Sequence, residues 1–152
     1  MALDRCASLL LVLDTNIVLD LLVFRDVAAQ PLAAGLARGK LDWVATPAMR
    51  DELERVLGYA HIAARLALKG EQAGDVLAGF DGQARIVEAA ARAPVICADP
   101  DDQKFVDLAV RHQGLLLSKD AAVLVLKRKL AALQVDVLAA IPASPASDLI
   151  GV

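Results

Sequence analysis

Residues 8–16 read SLLLVLDTN, an unbroken apolar run that stops at Asp14. A run this short, without polar alternation, fits a strand buried on both faces, the kind found in parallel sheets. Ile17, Leu21 and Phe24 continue at helical spacing, with Asn16 able to cap that helix. The same order of strand and then helix recurs down the chain. A helix is predicted over 27–38, closed by Gly39, and LDWVA at 41–45 is a second strand. Thr46 then caps and Pro47 opens a helix through MRDELERVLGYA, whose Met49, Leu53, Val56 and Leu57 mark one apolar face. The Ala-rich text from 61 to 91 predicts two helices, stopped by Pro94. Residues 95–97 predict a short strand leading into ADPDD at 98–102. A helix over 102–112 carries Phe105, Leu108 and Ala109 and ends at Gly114, and 115–117 is a strand followed by Ser118, Lys119 and Asp120. A helix over 121–133 and a strand at 135–138 complete the pattern.

Strands alternating with helices predict an α/β fold with a parallel sheet covered on both faces. The domain is expected over 1–141, with 142–152 an irregular C-terminal tail that carries two prolines, one of them its first residue. Ligands of such sheets bind beyond the carboxyl ends of the strands. Asp14, the ADPDD segment and Asp120 all lie at or just past predicted strand ends, so acids distant in sequence are expected to converge on one rim.

Composition narrows the chemistry. The 152 residues suit one domain and are 57% hydrophobic but only 3% aromatic, with a mean hydropathy of +0.52. The most apolar stretch, 7–24, is interrupted by Asp14, Asn16 and Asp20 and falls short of a membrane span. It also lacks the small-residue cleavage site of a signal peptide, which leads to the expectation of a cytoplasmic protein. Cys6 and Cys97 form no CxxC pair and read as small core residues. With His61 and His112 as the only histidines, any metal must be held by oxygen. The net charge of −3 gives no general attraction for nucleic acid, and Lys127–Arg128–Lys129 reads as a solvated helix face.

Asp14, Asp99 and Asp120 could each be simple turn or cap residues, since Asp favours those positions. Glu52, one turn inside a helix, could be an ordinary exposed acid of DELE. Together they are harder to dismiss, because clustered carboxylates repel one another unless a cation neutralises them. An all-oxygen cluster suits Mg²⁺ or Mn²⁺. Such an ion polarises a phosphodiester and activates water.

LLVLDTN at 10–16, DELERVL at 51–57, CADPDDQKFVDLA at 97–109 and LLLSKD at 115–120 occur in the order and spacing of one family. The chain resembles the PIN-domain proteins, in the branch described as toxins of toxin–antitoxin pairs, over roughly residues 9 to 140. The resemblance implies a three-layer α/β/α sandwich and a metal-dependent ribonuclease, with an antitoxin protein as partner. It places the catalytic, metal-binding acids at Asp14, Glu52, Asp102 and Asp120. Asn16 and Ser118 map to polar residues that orient the acids, and Asp99 to a helper, while Asp101 and Asp107 look like surface acids. The last motif usually reads Thr/Ser-Gly-Asp, and here Lys119 replaces the glycine. Lys119 then either strains a backbone that needs positive φ, brings its ammonium to the acids, or contacts substrate phosphate.

Rival families fit less well. A haloacid-dehalogenase-type phosphatase needs an acid where Asn16 stands, and a receiver domain needs paired acids near its first strand. Neither GxGxxG nor a phosphate-binding GxxxxGK[ST] is present. A PIN-like scaffold or partner-binding module with weak or lost activity remains the alternative to an enzyme. His112 ends the helix that Asp102 begins, roughly 15 Å away at 1.5 Å per residue. His61 is expected away from the acids too, which leaves water rather than the ribose 2′-OH as the nucleophile.

The apolar fraction exceeds what one small core requires, and extended apolar surface usually marks an interface. The isolated protein is therefore expected to sediment as a two-fold dimer at micromolar concentration. A monomer under those conditions contradicts this expectation.

Overall fold

Leu11, Val12 and Leu13 of β1 (Leu9–Leu13) are almost completely buried, as an all-apolar strand at the centre of a sheet must be. The computed structural model describes residues 9–142. Ser8, Cys6 and all of the expected tail except Pro142 lie outside the described residues. Five parallel strands are ordered β3-β2-β1-β4-β5 and flanked by helices. They are β1, β2 (Leu41–Ala45), β3 (Arg85–Ile86), β4 (Leu115–Leu117) and β5 (Val137–Leu138). The chain steps from β1 outward to β2 and β3, then returns to the other side of β1 for β4 and β5. The reversal falls between β1 and β4, which in open parallel sheets is where a crevice opens at the carboxyl ends.

The helices follow from local chemistry. Asp14, not Asn16, caps α1 (Thr15–Leu19), its Oδ1 accepting from Ile17 N at 2.9 Å. The helix then widens into a π turn over Asp20–Phe24, which ends at Arg25 in the left-handed region. A 3₁₀ turn at Val27–Ala29 precedes α2 (Gln30–Ala37). Thr46 caps α3 (Pro47–Leu57), whose Met49, Leu53 and Leu57 are buried. The Ala-rich segment gives α4 (Ala60–Leu68) and α5 (Ala73–Gln83), and Phe80 of α5 meets Trp43 of β2 edge to face at 5.1 Å. A 3₁₀ turn at Pro100–Asp102 leads into α6 (Gln103–His112), which buries Phe105, Val106, Leu108 and Ala109. The expected helix over 121–133 is broken into α7 (Ala121–Leu124) and α8 (Lys127–Ala131), where Leu126 N bonds the tighter-turn carbonyl of Val123. Lys127, Arg128 and Lys129 are exposed, as a solvated face requires. Among the described residues no helix is long and apolar enough to cross a membrane.

One strand lies elsewhere than expected. Residues 95–97 are not a strand, although their apolar run suggested one. The buried Gln103 side chain takes the backbone groups that a neighbouring strand would have used. Its Oε1 accepts from Cys97 N at 2.6 Å and its Nε2 donates to Val95 O at 3.0 Å. The edge position falls instead to Arg85–Ile86, which pair with Val44 and Ala45. Arg85 also holds Asp42 through two hydrogen bonds of 2.7 and 3.2 Å.

The turn from α6 to β4 presses against β1. A Cβ on Gly114 would stand 2.9 Å from the Leu10 carbonyl oxygen and 2.6 Å from Leu10 Cδ2. The side chain could rotate aside, but the carbonyl belongs to the central strand and cannot. Gly114→Ala is therefore expected to lower the unfolding free energy by about 1–3 kcal/mol, measured by chemical denaturation. Unchanged stability would show that β1 and β4 can separate without cost.

Candidate metal centre

The parallel pairing of Leu13 with Leu117 puts the next residues, Asp14 and Ser118, side by side. Asp14 N continues the ladder to Leu117 O at 3.1 Å, and Ser118 N does the same to Leu138 O at 3.0 Å. The fully buried Ser118 hydroxyl donates to Asp14 Oδ2 at 2.5 Å and accepts from Asp120 N at 3.1 Å. One side chain thus orients one acid and the backbone of a second. Asp120 in turn caps α7, its Oδ1 accepting from Ala122 N at 2.8 Å. Asp14 is only 3% exposed, so its charge has little water to stabilise it.

The third acid arrives on the loop that Gln103 shapes. Asp99 Oδ1 accepts from Asp101 N at 3.0 Å, and the 3₁₀ turn brings Asp102 to the start of α6. Carboxylate oxygens of Asp99, Asp102 and Asp120 all lie within 4.8 Å of one another. Among the described residues no donor reaches the buried Asp102 Oδ2. Glu52 enters from α3 and shares a cleft of about 240 Å³ with Asp14, Asn16 and Asp102. Its Oε1 meets the Lys104 ammonium, which also donates to Asp101 O at 2.5 Å.

The electrostatics match this crowding. Burial, and then the neighbouring Asp120 carboxylate, push the Asp102 carboxyl up to about 7, with Asp99 and Asp14 adding to the effect. Burial also raises Asp14, against the hydrogen bonds from Ser118 and Ile17 that favour its charged form. A buried carboxylate oxygen without a donor, in an all-oxygen cluster, is the donor set that Mg²⁺ or Mn²⁺ takes. The acidic cluster is consistent with a metal site.

Several sequence expectations change here. His61, expected away from the acids, lines the same cleft as Asp14, Glu52 and Asp102, together with Tyr59. The turn Gly58–Tyr59 between α3 and α4 is short enough to fold α4 back over Glu52, which helical periodicity does not reveal. Asp107 is not a surface acid. Its half-buried Oδ1 accepts from Ala93 N and from Gln103 Nε2, both at 2.8 Å. Asp101 is exposed as expected. Asn16 lines the cleft but makes no hydrogen bond to an acid among the described residues. Lys119 is not among the non-glycine residues with positive φ, which are Arg25, Gln113 and Gln134, so it carries no backbone strain. Its ammonium pairs with Asp20, and its charge is the smallest of the named influences on Asp14. Lys104 was not singled out from the sequence; the one signal was a lysine two residues past an acidic run.

A carboxyl raised from about 4 to about 7 on folding keeps its proton where the unfolded chain has lost it. Its stabilising contribution is complete below about pH 4 and is lost as pH rises through about 7. The metal-free melting temperature should therefore fall between about pH 4 and pH 7, and Asp120→Asn should flatten that fall. Mn²⁺ should restore the lost stability at the upper end. Asp14→Asn, which keeps an acceptor for Ile17 N, should leave the metal-free melting temperature unchanged or higher and abolish the Mn²⁺ effect. A clear loss of metal-free stability would assign Asp14 a capping role alone.

A profile of the PIN domain matches residues 10–122. No curated relative matches the chain. Among solved structures, the crystal structure of VapBC2 from Rickettsia felis bound to a DNA fragment from their promoter contains a chain similar in fold. The likeness has a TM-score of 0.58 at 12% identity and covers 84% of this chain and 98% of that one. The profile runs from the middle of β1 to the first turn of α7 and includes Asp14, Glu52, Asp102 and Asp120, and the chain belongs to the PIN domain family.

Proposed function

We propose that this chain is a divalent-metal-dependent endoribonuclease whose catalytic and metal-binding acids are Asp14, Glu52, Asp102 and Asp120. Ser118, Asp99 and Asn16 are its supporting residues. The observation that carries the reading is the close approach of Asp99, Asp102 and Asp120 beside a cleft shared by Asp14, Glu52 and Asp102. Family membership adds to it. The same reading includes an antitoxin protein as partner, which rests on the likeness of the motifs to the toxin branch, and a homodimer, which rests on the apolar composition.

Mg²⁺ or Mn²⁺ bound to these acids supplies a Lewis acid that polarises the phosphodiester and favours ionisation of water. The protein's part is to hold its carboxylates in place. Asp14 is fixed by Ile17 N and Ser118 Oγ, so its oxygens do not have to reorganise during reaction. Asp14 and its neighbour Asp120 are the groups placed to take the proton of an attacking water. Attack by water oxygen on phosphorus, with the bond to the 3′ oxygen breaking, leaves a 5′-phosphate and a 3′-hydroxyl. The alternative route through the ribose 2′-OH needs one group to remove a proton and another to protonate the 5′ oxygen. The cleft lining offers one imidazole, His61, and no second.

A scaffold or partner-binding module is the competing reading, and strain at Lys119 or its ammonium among the acids would favour it. With ordinary backbone and an ammonium held by Asp20, Lys119 does not favour it. Cleavage of an oligoribonucleotide should stop in EDTA, return with Mg²⁺ or Mn²⁺, and give 5′-phosphate ends. A single 2′-deoxy substitution at the cut site should still be cleaved, and Asp14→Asn should lose activity by about 10² or more. Products with 2′,3′-cyclic phosphate that form equally well in EDTA would refute the mechanism. A protein that neither binds Mn²⁺ nor cuts RNA would be the scaffold.

A further inference from the structure

The cleft that holds Asp14, Glu52 and Asp102 has a second wall, made by Val56, Tyr59 and His61. Tyr59 precedes α4 and is 47% exposed, and His61, two residues on, is exposed as well. Neither side chain has a hydrogen-bond partner or a ring against it among the described residues. Single exposed aromatics are ordinary on protein surfaces. What distinguishes these is the floor beside them. Among the described residues the lining of the cleft contains three carboxylates and neither Lys nor Arg, and Lys104 is already paired with Glu52.

A nucleic-acid strand entering such a cleft gains little from fixed charge. The chain carries a net −3, and a cation on the acids neutralises one phosphate without holding the nucleotides on either side. Stacking of a base on an aromatic ring needs no charge and tolerates any base. It does need an uncovered base face, which a duplex does not offer.

We infer that Tyr59, with His61 beside it, forms a stacking wall for an unpaired base flanking the cleaved phosphate. The inference rests on the ribonuclease reading above. Tyr59 is then a binding residue, whose loss acts on KM more than on kcat. Its exposed side chain also allows substitution without disturbing the core.

The test compares wild type, Tyr59→Ala, Tyr59→Phe and His61→Ala on a single-stranded oligoribonucleotide, on its duplex, and on strands abasic at each position flanking the cut. Tyr59→Ala should raise KM about tenfold, with kcat and the Mn²⁺-induced rise in melting temperature close to wild type. Tyr59→Phe should behave as wild type, and His61→Ala should raise KM by a smaller factor. One abasic substitution should cost wild type a similar factor and add nothing in Tyr59→Ala, the non-additivity expected of partners in contact. The wall is overturned if the duplex is cut as well as the single strand, if Tyr59→Phe loses as much as Tyr59→Ala, or if the two losses add. A wild-type protein that cuts RNA while Tyr59→Ala keeps its KM removes the wall and leaves the ribonuclease reading intact. A wild-type protein that binds Mn²⁺ and cuts no RNA removes both.

Discussion

The hydrogen bond from Ser118 to Asp14 depends on the register of β1 against β4, and the arrangement of the whole rim depends on that bond. A slip of one residue would turn Ser118 toward the opposite face, because side chains alternate along a strand. Its hydroxyl is fully buried and must be paired on both sides to be tolerated there. Asp14 accepts from it and the Asp120 amide donates to it, so the bond that closes the two central strands also sets the position of the next acid. Gly114 supports the same register from below, since nothing larger fits against the Leu10 carbonyl.

Most of the acids are also caps. Asp14, Asp99 and Asp120 each turn one oxygen to a backbone N–H at the start of a helical turn, where negative charge is favoured. Capping and metal binding are therefore not exclusive explanations of these residues. A capping aspartate retains a second oxygen, and Asp120 both caps a helix and contributes an oxygen to the cluster. Asp102 is the exception: it directly precedes α6 but makes no side-chain cap, and among the described residues no donor reaches its Oδ2. Burial, and then the repulsion of the neighbouring carboxylates, accordingly fall on Asp102, whose carboxyl is the one pushed up to about 7.

Much of this was legible in the sequence where the signal is local. The apolar runs at 9–13, 41–45 and 115–117 are buried strands, and the acids that end two of them stand where strand ends place them. What failed depended on side chains acting at a distance. The run at 95–97 has a strand's composition, but the Gln103 amide satisfies its backbone, an interaction no periodicity encodes. Arg85–Ile86 carries little strand signal and pairs only because β2 has an open edge beside it. His61 was misplaced for a similar reason, since a two-residue turn decides which way α4 folds over α3. The loss of a strand at 95–97 also has a consequence for the site. A strand there would fix the segment in the sheet, whereas a loop lets the 3₁₀ turn bring Asp99 and Asp102 over the rim toward Asp120.

The two lysines nearest the acids show how the cluster is kept without a protein cation. Lys119 stands between Ser118 and Asp120, yet its ammonium is held by Asp20 on the π turn that extends α1. Lys104 begins α6 two residues after Asp102, yet its ammonium lies on Glu52 and the Asp101 carbonyl. Among the described residues no lysine or arginine forms an ion pair with Asp99, Asp102 or Asp120. Had either lysine turned inward, the repulsion would have been relieved by a fixed charge that a metal must displace. With both held at the margin, the three carboxylates can relieve it only by taking up a proton or a cation from solution. Burial and these neighbours push Asp102 up to about 7, so near neutral pH the proton begins to leave and a cation is the other way to offset the repulsion.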